Sequence, residues 1–159
     1  MSKATRATKA LEQAGIAFTV HAYDYDPEAE SIGLHAAQAL GESPSRVLKT
    51  LMALLDGKPV CAIVPSDREV AMKKLSAVLG GKHAEMMKPA QAERVSGYKI
   101  GGISPFGQTR KVPVAIEESA LAEAHVYING GQRGLQVRLD PNDAAGMLNA
   151  IAAPLVAGD

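Results

Sequence analysis

Two apolar runs, residues 46–55 and 59–65, are separated only by Asp56-Gly57-Lys58. A central Asp-Gly step supplies the positive-φ backbone that a tight two-strand turn needs, so this spacing predicts a β-hairpin in the middle of the chain. Any fold must then build a sheet around that hairpin. Upstream, residues 3–14 read as a helix closed by Gly15. Residues 16–23 read as a strand with Ile16, Phe18 and Val20 on one face, and Ser31 to Leu40 as an Ala-rich helix closed by Gly41. Downstream, Ser66-Asp67-Arg68-Glu69 has capping-box spacing and predicts a helix running to about Leu79, stopped by Gly80-Gly81. In that helix Val70, Leu75, Val78 and Leu79 can share an apolar face. Lys88-Pro89 opens another short helix, with proline at a first-turn position.

Strand-like runs follow near 112–116, 125–128 and 134–139, and Asp140-Pro141 starts a last helix whose Met147, Leu148 and Ile151 point to the sheet. Helices and strands alternate irregularly around at least one hairpin, which predicts a mixed rather than a parallel sheet. With 159 residues, 47% of them apolar, the chain fits one α/β domain over residues 1–159. There is no internal repeat, linker or low-complexity tract. Trp is absent, and two Phe and four Tyr leave the core to Ala, Val, Leu and Ile.

Lys plus Arg equals Asp plus Glu at 17 each, so the chain lacks the global positive field of a protein that grips long nucleic acid. A local basic patch for an RNA end stays compatible with that balance. One cysteine excludes an internal disulfide, and Cys61 sits inside an apolar strand-like run as a packing residue. The four histidines, His21, His35, His83 and His125, show no ligand spacing, so neither a metal nor a cofactor is expected. No leader segment and no apolar run of about 18 residues is read, which predicts a soluble, cytoplasmic protein with no membrane partner. No GxSxG elbow, P-loop or dinucleotide fingerprint is present.

Two features carry chemistry. The segment Tyr98-Lys99-Ile100-Gly101-Gly102-Ile103-Ser104-Pro105-Phe106-Gly107-Gln108 is rich in glycine, and such backbone either makes a tight surface turn or presents N–H groups to a carbonyl, carboxylate or phosphate. Lys49 interrupts the apolar run Val47-Leu48-Lys49-Thr50-Leu51. An ammonium there faces solvent on a half-buried strand, or it reaches a counter-ion or ligand.

In order and spacing, Arg46-Val47-Leu48-Lys49-Thr50-Leu51, the GGISPFG segment and Asn129-Gly130-Gly131-Gln132-Arg133-Gly134-Leu135 resemble the YbaK family of aminoacyl-tRNA deacylases. The opening, Phe18-Thr19-Val20-His21-Ala22-Tyr23 and an Asp26-Pro27 step, fits as well, and the resemblance runs from about residue 4 to residue 150. It implies a curved, mixed, partly barrel-like sheet with flanking helices and a central cleft. It also implies an editing enzyme that clears cysteine mischarged on proline tRNA, in which the substrate's own thiol attacks its ester and the protein orients the aminoacyl-adenosine end.

On that resemblance Lys49 is the active-site lysine, and Gly101 and Gly102 approach the ester with backbone donors. Tyr23, Ile32, Thr50, Ile103, Ser104, Pro105, Asn129, Gly130, Gly131, Arg133 and Gln136 form the substrate pocket. Three positions depart from the pattern. Ile32 stands for a phenylalanine, Asn129 for a small hydroxyl residue and Gln136 for an aspartate, which bears on amino-acid preference. Alternatives are a deacylase for alanine or serine, or a non-catalytic aminoacyl-adenosine-binding module. The tRNA contacts expected are among Lys73, Lys74, Lys82, Lys88, Lys99, Arg110, Lys111 and Arg133, with Arg133 the best placed. Prolyl-tRNA synthetase on the same tRNA is the implied partner.

Overall fold

The computed structural model describes residues 4–29 and 31–158. The predicted hairpin is present: β2 (Leu48–Leu55) pairs antiparallel with β3 (Lys58–Pro65), from Leu55↔Lys58 at the turn to Leu48↔Pro65. Asp56 and Gly57 have φ of 50° and 81°, the two positive values a type I′ turn demands. The Asp56 carboxylate steadies the turn by accepting the N–H groups of Lys82 and His83 at 3.0 and 2.9 Å.

Around this hairpin stand α1 (Arg6–Gln13), β1 (Thr19–Ala22), α2 (Ile32–Leu40), α3 (Met72–Val78), β4 (Ala84–Met86), α4 (Pro89–Ser96), β5 (Val114–Glu117), β6 (Val126–Asn129), β7 (Leu135–Leu139), α5 (Pro141–Leu148) and β8 (Ile151–Ala153). One sheet has the order β4-β2-β3-β5-β8, antiparallel around β2 and parallel across β3, β5 and β8. The other has the order β1-β7-β6 and is antiparallel throughout. A parallel bridge from Val47 to Tyr127 brings the start of β2 alongside β6, so the two sheets meet along one line. The arrangement is the expected mixed, curved α/β fold, open rather than closed into a barrel. Among the described residues no helix is long and apolar enough to cross a membrane.

Sequence signals for helix ends hold where the local backbone decides them. Ser31 caps α2 by accepting the Leu34 N–H, and Gly41 ends it in the left-handed conformation. Pro89 opens α4 and Pro141 opens α5. Two expectations fail. The Ser66–Glu69 capping box does not form, and α3 starts only after Ala71, without a side-chain cap. Tertiary partners take the serine instead: its N–H donates to the Val47 carbonyl at 2.9 Å and its Oγ to the Pro44 carbonyl at 3.2 Å. The chain turns through Asp67 and Arg68, whose N–H donates to the Pro65 carbonyl at 3.1 Å, before Val70 bridges Val156. Ile151 does not dock from the last helix either. Asn149, at φ 52°, ends α5, and Ile151 lies in β8 with 48% of its surface exposed.

Buried Glu117, at the end of β5, ties the C-terminal segment down. One carboxylate oxygen accepts the Leu155 and Val156 N–H groups at 2.8 and 3.2 Å, and the other accepts Ser119 N–H at 3.1 Å. Burial alone would raise its pKa, but the donated hydrogen bonds outweigh it and hold the carboxyl below its ordinary value. A depressed folded pKa contributes stability above the ordinary glutamate range, near about pH 4.3, and loses it as pH falls through the folded value. Glu117→Gln is expected to lower stability by about 1–3 kcal/mol at pH 7, and the gap to wild type should narrow in denaturant titrations at acid pH. A gap independent of pH would contradict this role.

Candidate functional site

β2, the start of α2 and the segment before β5 face one another across a cleft of about 350 Å³. Ile32, Lys49, Thr50, Gly101, Ile103, Asn129 and Gln136 line it, so half of the expected residues come together on one surface. Lys49 is the one charged side chain among the described lining residues. Its Nζ lies 3.4 Å from a Glu69 oxygen, yet the Glu69 side chain is 84% exposed. A pairing so open to water is weak, and it leaves the ammonium free to act on a ligand.

Tyr23, Gly102, Ser104, Pro105, Gly130, Gly131 and Arg133 are not among its lining residues, and Pro105 borders a separate depression with Gly107, Gln108 and Met147. Gly101 and Gly102 divide their roles. Gly101, at φ 88°, lines the cleft, and its N–H meets no acceptor among the described residues. The Gly102 N–H is already donated to the Lys99 carbonyl at 2.8 Å. A Cβ on Gly102 would stand 2.8 Å from the Arg133 nitrogen, so this glycine is needed for backbone packing. Ser104 and Pro105 are buried; the serine hydroxyl accepts the Phe106 N–H at 3.2 Å, and its carbonyl accepts Gln108 Nε2 at 2.9 Å. Tyr98 Oη donates to the Phe106 carbonyl at 2.6 Å and closes the segment on itself.

Asn129 links two turns. Its Nδ2 donates to the Gly101 carbonyl at 3.2 Å, while its Oδ1 accepts the Gly131 and Gln132 N–H groups at 2.7 and 3.2 Å. Gly130 continues the sheet, its N–H donated to Leu135 at 2.9 Å. Arg133 Nε donates to the Ile100 carbonyl at 2.8 Å, and its guanidinium lies 5.3 Å from the Tyr25 ring centroid. These bonds make Arg133 a brace for the glycine segment.

Tyr23 lies next to Gln136. Burial pushes its hydroxyl pKa up; the neighbouring Gln136 amide opposes the shift without closing a hydrogen bond. Tyr23 Oη, Thr50 Oγ1 and Gln136 Oε1 are all buried without a protein partner. Cys61 is fully buried away from the cleft, and burial raises its thiol pKa to about 12, which leaves it inert.

Sequence reasoning missed the apolar wall of Met52, Met86, Met87 and Pro89. The adjacent methionines before Lys88-Pro89 were its only signal, since methionine adapts to irregular surfaces. Glu93, which accepts the Ile100 N–H at 2.9 Å, gave none. The basic residues do not form a single patch. Lys88 and Lys99 adjoin cleft residues Pro89 and Ile100 in the chain, while Arg110 and Lys111 border a separate depression beside the hairpin turn. Lys73 and Lys74 lie on α3, and Lys74 Nζ donates to the Val156 carbonyl at 2.8 Å.

Asn129→Ala removes the tether and strands two N–H groups. It should cost about 1–3 kcal/mol and speed amide exchange at Gly102 and Gly131 tenfold or more, with the hairpin amides unaffected. Equal protection in both proteins would contradict the tether.

The family model of the aminoacyl-tRNA editing domain matches residues 26–146. The chain is 30% identical, over 91% of its length and 88% of the relative's, to the proposed Cys-tRNA(Pro)/Cys-tRNA(Cys) deacylase EbsC of Enterococcus faecalis. It is 40% identical over 43% of its length to a proline–tRNA ligase of Nitratidesulfovibrio vulgaris, of which it spans only 12%. Among solved structures, a proposed trans-editing enzyme for prolyl tRNA synthetase superposes with a TM-score of 0.81 at 23% identity, covering 96% of both chains.

Proposed function

This chain belongs to the aminoacyl-tRNA editing domain family, and we propose that it clears cysteine from mischarged Cys-tRNA(Pro). The supporting observation is one cleft with the Lys49 ammonium on one wall and the unengaged Gly101 N–H on another. Such a site polarises a carbonyl and stabilises an oxyanion. The chain's own thiol is buried away from it. The nucleophile is the substrate's cysteine sulfur.

In this reading the sulfur attacks the ester carbonyl carbon, forming a C–S bond and a tetrahedral oxyanion. Collapse breaks the C–O bond, releases a four-membered thiolactone and returns the thiol proton to the ribose oxygen of the tRNA. The protein's part is to fold the cysteine side chain back onto its ester and to hold developing negative charge between Lys49 and Gly101. Tyr23, Thr50 and Gln136 orient the amino-acid end. Lys88, Lys99 and the outer nitrogens of Arg133 meet phosphates near the cleft mouth. Few such contacts make tRNA binding weak and salt-sensitive, which suits a cytoplasmic enzyme acting beside prolyl-tRNA synthetase on the same tRNA.

Single-turnover deacylation of preformed Cys-tRNA(Pro), Ala-tRNA(Pro) and Ser-tRNA(Pro) tests the assignment. The reading expects loss of cysteine alone, and Lys49→Ala should slow it about 10²-fold or more with the thermal midpoint held. Loss of alanine or serine would mean that the protein activates water, and that Ile32, Asn129 and Gln136 redirect specificity. Survival of all three esters would make the chain a binding module.

A further inference from the structure

Two positive poles border the cleft and no carboxylate among the described residues lines it. Lys49 supplies one pole, and the N-terminus of α2, through Ser31, Ile32 and Gly33, supplies the other. Of the nearby carboxylates, Glu69 lies outside the lining in its exposed, weak pairing with Lys49, and Glu93 accepts the Ile100 N–H. The two adjacent histidines also have partners. His21, opposite Gln136 in the sheet, bonds Thr19 Oγ1 at 2.8 Å, and His35, whose ring centroid is 5.9 Å from that of Tyr23, bonds the Asp24 carbonyl at 2.8 Å.

Between those poles stands a neutral polar wall. Gln136 is 5% exposed with an unpartnered Oε1, Thr50 Oγ1 in the same lining is buried and unpartnered, and Tyr23 Oη, outside the lining, is buried and unpartnered next to Gln136. Buried polar atoms left without protein partners mark where a ligand supplies them. This wall offers an amide and a hydroxyl to a nitrogen, with no carboxylate among the described lining residues to hold an ammonium against Lys49. A cation there would face repulsion in a partly desolvated site, whereas an uncharged N–H donor meets acceptors at no electrostatic cost.

We propose that this cleft takes aminoacyl esters whose α-nitrogen is uncharged, N-acylated esters included, with Gln136 as the residue that sets this preference. The proposal rests on the deacylase reading for its ester and adds the charge state of the nitrogen. An α-amine titrates at about 7.7–8.0, so a neutral form is available near physiological pH, and N-acylation fixes it permanently.

The test compares cysteinyl-tRNA(Pro) and N-acetylcysteinyl-tRNA(Pro) in single-turnover kcat/KM, for wild type and Gln136→Asp. In parallel, non-hydrolysable 3′-amide-linked cysteinyl-adenosine and its N-acetyl form are titrated by calorimetry. At pH 7, where only a minority of an amine titrating at about 7.7–8.0 is uncharged, wild type is expected to favour the N-acetyl forms about threefold or more, while Gln136→Asp shifts the ratio tenfold or more towards the free amine. Wild type using the two forms equally, or rejecting the N-acetyl ester and amide, overturns the proposal whether or not the variant folds. A folded variant with an unchanged ratio removes Gln136 from it. If neither ester is cleaved but the N-acetyl amide binds more tightly than the free-amine amide at pH 7, the deacylase reading fails and the neutral-nitrogen preference stands.

Discussion

The packing of residues 98–102 against the turn at 129–134 sets where the rest of the cleft stands. Neither segment carries regular secondary structure through its tip, so each depends on the other for backbone partners. Asn129 satisfies three groups across the two segments, and Arg133 adds a fourth at the Ile100 carbonyl. The close approach leaves no room for a side chain on Gly102. The result is a fixed platform at the cleft in which the Gly101 N–H has no acceptor among the described residues while the neighbouring N–H is consumed internally. Preorganised donors of this kind lose nothing to reorganisation when charge develops in front of them.

The hairpin supplies the opposing wall. β2 carries Lys49 to the cleft, and the Val47–Tyr127 bridge holds it against the sheet that bears Asn129 and Gln136. Two sheets meeting along one line thus place a cation, a free amide and a neutral polar patch around one cavity. Each comes from a different stretch of chain. The proposed chemistry asks little else of the protein, because the sulfur, the carbonyl and the leaving oxygen all belong to the substrate.

Much of this was legible in the chain. The Asp56-Gly57 turn, the glycine helix stops and the prolines at helix starts are local backbone decisions, and local sequence carries them. The Ser66 capping box failed because tertiary acceptors at Val47 and Pro44 outcompeted a local cap. Ile151 was misplaced because Asn149 ends the helix early, and an exposed edge strand carries no helical signal. At the site, Lys49 stood out as a charge in an apolar run. The roles of Gly102, Ser104 and Arg133 did not, since a glycine, serine or arginine in a motif reads the same whether it faces a ligand or braces a neighbour. Only the partners of their N–H, hydroxyl and guanidinium groups separate the two.

The central claim is that the cleft orients an ester whose own sulfur does the work. Single-turnover decay of cysteinyl-tRNA(Pro) beside S-methylcysteinyl-tRNA(Pro) tests it most directly. The account predicts fast loss of the free-thiol ester, with the methylated ester decaying at its uncatalysed rate. Equal rates for both would place the nucleophile on water or on the protein and contradict the account.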